Sequence, residues 1–353
     1  MRVPRTLVLM AIIAVAALAG TGCTKAQKTG EIPTLTVMTH DSFKISGKVI
    51  RDFEQANGCK VAFLKSGDAG AALNQAILSK KNPLADVFFG VDNTFMSRAL
   101  TADIFEPYAS PLVKDLAGDL MLDKTGRLLP VDFGDVCLNY DKAWFEHKGM
   151  KPPSSLEDLV KPQYRDLTVV ENPATSSPGL AFLLATIGHF GENAYLGYWT
   201  KLKANGVLVT NGWDDAYWGQ FSAASKGTRP IVVSYASSPS AEVYYAKKPL
   251  KEAPTAALVS PGTAFRQVEF AGILKGTKNA ALARKFIDYM LDMAFQEDIP
   301  LQMFVFPANT KARLPEVFTL HARVADKPVT LDPAIIAANR DKWLEAWTDA
   351  VLR

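Results

Sequence analysis

Three kinds of side chain stand where they could do chemistry: carboxylates at Asp41, Asp68 and Asp92, hydroxyls at Thr175, Ser176 and Ser177, and rings at Trp213, Tyr217, Trp218 and Tyr235. A carboxylate is a directed partner for a cation, and each aromatic face attracts one by about 0.5–2 kcal/mol. The hydroxyls precede Pro178-Gly179-Leu180-Ala181, where Pro178 fits the first turn of an apolar helix. That turn leaves backbone N–H groups unpaired and carries partial positive charge, so the triplet either seats an anion or simply caps the helix. A ligand matching all three groups would be aromatic and cationic at one end and anionic at the other. Each residue also has an ordinary role: Trp213 and Trp218 as core, Asp92 in a turn, Tyr235 in a strand with its hydroxyl paired.

Catalysis finds less material. Four histidines, His40, His147, His189 and His321, are scattered without metal spacing, a thin supply for general-base chemistry. There is no GxSxG elbow, GxxxxGK[ST] loop, HExxH or CxxC. Besides Cys23, only Cys59 and Cys137 occur, either as a disulfide or as two buried thiols. The chain therefore reads as a binder, with no catalytic residue, cofactor or metal site.

The positioning elements follow from periodicity. Leu35–Thr39, Cys59–Leu64 and Ala85–Gly90 read as strands, the last broken at Val91-Asp92-Asn93, and each is followed by helical spacing, in Val49–Asn57, Ala71–Ser79 and Thr94–Leu100. This alternation predicts a mainly parallel sheet wrapped by helices, with ligands beyond the carboxyl ends of the strands. Asp41, Ser42, Asp68 and Asp92 fall at such ends. Leu128–Tyr140 is extended and long enough to cross from one lobe to another, and Val268–Leu274 reads as the return. Pro152–Leu159 begins a capped helix, Leu167–Val170, Val207–Thr210 and Ile231–Tyr235 are strands, and Trp213–Trp218 opens a helix. Tyr235 leads into a polar loop, Ala236-Ser237-Ser238-Pro239. Helices follow over Asn279–Phe295 and from Pro333 onward, with Trp343 and Trp347 inward.

With 353 residues, 48% of them hydrophobic, and a mean hydropathy of +0.03, the chain suits two lobes rather than a disordered or polytopic membrane protein. The net charge is +3 and no Lys/Arg run is interleaved with aromatics, so nothing asks for nucleic acid. Arg2 and Arg5, the apolar run Leu7–Leu18 and small residues before Cys23 read as a secretory signal over 1–22, too short to span a membrane. Cys23 is a candidate lipidation site, with ordinary cleavage near Ala17-Leu18-Ala19 as the alternative, and 23–34 reads as a tether.

Asp41-Ser42-Phe43, Gly90-Val91-Asp92-Asn93, Asp132-Phe133-Gly134, Asn172-Pro173-Ala174-Thr175-Ser176-Ser177-Pro178-Gly179, Gly212-Trp213 with Ala216-Tyr217, and Ser234-Tyr235-Ala236-Ser237-Ser238-Pro239 occur in that order. Together they resemble the thiamine-binding subunit of bacterial ABC transporters, from about Leu35 to the C-terminus. The resemblance implies an α/β two-lobed periplasmic binding protein fold, lobe one over 35–130 and 260–320, lobe two over 131–259, and helices from 321–353 packing across them. It implies a monomer that takes thiamine or its mono- or diphosphate in the interlobe cleft and delivers it to a membrane permease, in the periplasm or anchored to the outer face of the cytoplasmic membrane. Asp68, Ser176, Trp213 and Tyr235 stand at matched ligand-contacting positions, with Asp41 and Ser42 beside them, and Ser176 with its neighbours Thr175 and Ser177 faces a phosphate. The sequence departs from the family at His40 and Ala241, both tyrosine there, and at Phe304, which keeps an aromatic face where the family has tryptophan. A loop tryptophan also has no counterpart in Lys44–Gly47. Tyr244 or Tyr245 could replace the missing ring. That adjacent pair also suits a ferric-ion binder of the same superfamily, and a polyamine or phosphonate is a further alternative.

Overall fold

Apolar β-branched runs that end in polar residues make the strands of this protein, and a computed structural model describes residues 32–353. The expected signal, Cys23 and nearly all of the tether lie outside the described residues. The first elements are β1 (Thr34–Thr39), α1 (Gly47–Asn57), β2 (Lys60–Lys65), α2 (Ala69–Leu78), β3 (Val87–Asp92), α3 (Met96–Thr101) and β4 (Phe105–Glu106). The long β5 (Leu129–Asp141) and α4 (Lys142–His147) lead to β6 (Thr168–Glu171), α5 (Ser177–Phe190), α6 (Tyr195–Ala204), β7 (Leu208–Thr210), β8 (Ile231–Tyr235) and α7 (Ser238–Tyr244). Then come β9 (Thr255–Leu258), β10 (Phe265–Leu274), α8 (Ala280–Leu291), α9 (Met293–Gln296), α10 (Ile299–Gln302), β11 (Phe306–Pro307), α11 (Glu316–His321) and α12 (Pro333–Val351).

The main strand order is β2-β1-β3-β10-β5-β8-β6-β7. β1 is parallel to β2 and β3, and β6 is parallel to β7 and β8. Between these two parallel sets run β5 and β10, antiparallel to each other and to their outer neighbours. The two-lobed α/β expectation is met in this form, with the long strands common to both halves. β3 is buried along its whole length, as expected for a strand covered on both faces. Asp332 caps α12, its carboxylate accepting from the Ala334 amide at 2.7 Å, with Pro333 in the first turn. α12 reaches both sets: Trp347 meets Trp199 of α6 edge-on at 5.5 Å, and the Arg340 guanidinium lies 4.8 Å from the Phe95 ring beside α3.

Four local readings change. Val91 and Asp92 continue β3 instead of breaking it, because Phe270 and Glu269 of β10 pair with them. The expected helix start after Pro152 is a short 3₁₀ turn, Leu156–Val160. Asp215–Gln220 is π-helical, and the expected polar loop after Tyr235 begins α7 at Ser238, with Pro239 in its first turn. Cys59 and Cys137 are free, buried thiols, which removes the disulfide alternative.

Candidate ligand-binding cleft

The ends of β1 and β8, the start of α2 and the middle of β10 converge on a cleft of about 810 Å³, counting the part open to solvent. Asp68 caps α2, accepting from the Ala69 amide at 2.6 Å, and its second oxygen accepts from the Trp213 amide at 2.9 Å. This bond joins the two halves. Two others do the same: the Ser42 hydroxyl donates to Asp214 at 2.9 Å, and the Gly70 amide to the Thr175 carbonyl at 3.0 Å. A Cβ at Gly70 would stand 2.8 Å from that carbonyl oxygen, so glycine permits the close approach.

The aromatic wall is fixed from behind. Trp213 stacks on Tyr217 at 4.8 Å and 18°, and its indole N–H donates to Ser234 at 2.9 Å. The Tyr217 hydroxyl donates to Glu242 at 2.6 Å. Trp218 meets Tyr217 edge-on at 5.0 Å and stays 42% exposed at the mouth. Opposite, Phe304 packs against Tyr245 at 5.4 Å. Phe304 holds a left-handed φ of 55°, and its carbonyl accepts from the Ser237 hydroxyl. Tyr235 faces the middle of the cleft, and Gly134 on β5 leaves room for its ring, since a Cβ there would stand 2.8 Å from it.

Of the residues read from the sequence, Ser42, Asp68, Ser177, Trp213, Tyr217, Tyr235 and Phe304 line this cleft. Four others do not, and each has a local partner. Asp41 accepts from the Gly67 amide at 3.0 Å. Asp92 accepts from Thr94, Phe95 and Ser177. The Thr175 hydroxyl donates to the Asn211 carbonyl at 2.7 Å. Ser176 is fully buried, caps α5 by accepting from the Gly179 amide at 3.5 Å, and supports Asp68 with its hydroxyl. The hydroxyl triplet is therefore engaged inside the protein, and only Ser177 and Pro178 bring the start of α5 to the cleft.

Sequence reasoning named His40 only as a departure from the family tyrosine and missed its partner on the floor, Glu269. Both line the cleft, with His40 Nε2 3.4 Å from Glu269 Oε1. Gly90, at a φ of 104°, leaves room for the imidazole, because a Cβ there would stand 2.6 Å from the ring. The available signal was a charged residue inside the apolar run Val268-Glu269-Phe270. Asp132 and Glu171 are also buried nearby; among the described residues no N–H or hydroxyl of another residue donates to either, and Asp132 has only the Glu269 carboxyl to share a proton with.

Burial dominates the electrostatics. It pushes Asp68 above the usual carboxylate range against the opposing Trp213 amide and His40, and carries Asp92 up to about 6 against Ser177 and Thr94. Asp132 is held well above its ordinary value by burial and then by the Glu269 charge, and Glu171 by burial and then by Asp68. Burial opposes protonation of His40, but Glu269 outweighs it and raises the imidazole. Among the described residues no lysine or arginine bridges Asp68, Asp92, Asp132, Glu171 or Glu269. An aromatic-walled cleft over carboxylates favours a flat, cationic guest.

The model of the bacterial extracellular solute-binding protein family matches residues 82–323. A thiamine-binding periplasmic protein of Salmonella typhimurium is 34% identical over 327 residues, covering 91% of this chain and 94% of its own. A solved periplasmic thiamin-binding protein is 30% identical with a TM-score of 0.78, covering 91% of this chain and 97% of its own. Iron-bound HitA from Pseudomonas aeruginosa, 20% identical with a TM-score of 0.72, shares the fold. The chain belongs to the bacterial extracellular solute-binding proteins.

Proposed function

We propose that this chain captures thiamine outside the cytoplasm and presents it to the membrane permease of an ABC transporter. The observation that carries this reading is the stacked Trp213–Tyr217 pair facing the same cleft as Asp68 and Glu269, in a chain 34% identical to a thiamine-binding relative. The thiazolium is a fixed aromatic cation and the pyrimidine a second flat ring, so both ends suit this wall. A phosphate on the hydroxyethyl arm would be received where Ser177 and Pro178 border the cleft at the start of α5. The ferric-ion reading has less support, because Tyr244 does not line the cleft and both Tyr244 and Tyr245 pack on Phe304.

The finer reading has lobes over 35–130 with 260–320 and over 131–259, helices over 321–353 packing across them, closure about β5 and β10, and a periplasmic monomer held to the membrane through a lipid on Cys23. The experiment is calorimetric titration with thiamine and both phosphate esters. Wild type should bind, and Trp213→Ala should weaken all three forms by roughly tenfold or more, equal to about 1.4 kcal/mol, while the chain still folds cooperatively. Absence of thiamine binding in wild type, or equal affinity in the variant, would sink the reading.

A further inference from the structure

Glu269 occupies an unusual place in the sheet: on β10 it is in register with Asp132 of β5 on one side and Asp92 of β3 on the other. Three acidic side chains thus cross three adjacent strands, with His40 against the middle one at 3.4 Å. Both β10 ladders are irregular here, with register shifts immediately after Glu269 and Phe270. Among the described residues neither oxygen of Asp132 meets a donor other than a proton shared with Glu269. Like charges this close cannot all ionise in a buried site, so protons on the cluster stand in for missing cations.

We infer that capture of a cationic ligand expels a proton from the His40–Glu269–Asp132 cluster. The inference rests on the cationic-ligand reading above. The ligand brings a fixed positive charge into a cleft where His40 and Glu269 form the floor, and the proton leaves to solvent, so the charge of the site is conserved. Every group facing the cluster acts in a known sense. Asp68 and Asp214 hold the proton on His40, Asp92 adds negative charge beside Glu269, and Tyr235 stays a neutral phenol among these acids. Arg340 is the cation that approaches from outside, toward Asp92, and Lys44 lines the cleft without bridging any of them. An empty cleft therefore keeps its protons, and an occupied one gives them up.

The test is calorimetric titration of wild type with thiamine between pH 6.5 and 8, in several buffers of different ionisation enthalpy. The thiazolium nitrogen is quaternary and the free aminopyrimidine is neutral in this pH range, so the ligand can only take up protons, and any net release that the buffer dependence shows comes from the protein. Release approaching one proton is expected, with affinity rising up to about tenfold per pH unit where the cluster titrates. Asp132→Asn and His40→Gln should each reduce the count toward zero. Undiminished release in both folded variants would overturn the assignment to this cluster. Wild-type binding without buffer or pH dependence would overturn the inference while leaving the thiamine reading intact, whereas no binding in any buffer would defeat that reading itself.

Discussion

Two aspartates on β5, Asp132 and Asp135, face residues of the same partner strand and meet opposite fates. Asp135 is in register with Arg266, which grips both its oxygens, and the Ala325 amide adds a third bond at 2.7 Å. The Phe133 ring lies under that guanidinium at 5.1 Å. Asp132 is in register with Glu269 and, among the described residues, meets no donor beyond a proton shared with that carboxyl. One cross-strand pair is neutral and saturated, and the other is acidic and unsatisfied. Sheet stability does not require the second arrangement, since a buried carboxyl without a partner costs free energy. Asp132 lies in register behind Glu269, which lines the cleft, so the pair can supply negative charge to a cation once its proton leaves.

The largest effect should come from breaking the satisfied pair. Asp135→Ala leaves Arg266 and the Ala325 amide without their acceptor, and should lower the unfolding free energy by about 3 kcal/mol in urea titration. A loss below about 1 kcal/mol would mean that Arg266 finds other partners and that the contrast between the aspartates is smaller than the geometry indicates.

The acidic side predicts a pH dependence of definite sign. Asp92 moves from 3.8 to about 6 on folding, so the folded chain binds that proton more tightly than the unfolded one. Its contribution is full below the unfolded value and is lost as pH rises through about 6, on the order of 2–3 kcal/mol. The raised Asp68, Asp132 and Glu171 act in the same direction. Asp92→Asn should therefore flatten the fall in urea midpoint between pH 4 and 7, and a slope as steep as wild type would locate the linkage elsewhere.

A smaller change sharpens the comparison at the residue between the aspartates. Gly134→Ala puts a methyl 2.8 Å from the Tyr235 ring and should cost about 1 kcal/mol of stability. It should also weaken ligand binding several-fold by pushing that ring into the cleft. Unchanged affinity would show that Tyr235 yields without touching the ligand.

The strands and their polar ends were legible because β-branched runs stop at residues such as Asp41 and Tyr235, whatever the tertiary context. The site was legible as a set of residue types. Its orientation was not: Ser176 and Ser177 are neighbours, but successive residues at a helix start differ by about 100° in direction, and only the second faces the cleft. Glu269 escaped notice because its meaning lies in the register of β10 against two strands far away in the chain, and local periodicity carries no register between distant segments. His40 was noticed only as a departure from the family tyrosine, because its partner Glu269 lies much further along the chain.

The π turn over Asp215–Gln220 has a consequence for inheritance. A chain with one residue fewer there would regain ordinary helical hydrogen bonds, but it would turn the buried Tyr217 and the half-exposed Trp218, now edge to face with Trp213 at 6.0 Å, to new directions. Such a deletion acts on recognition directly, through the rings it turns. Among descendants of this gene, changed diet should be sought first in the length of this segment, and only then in the identity of its rings.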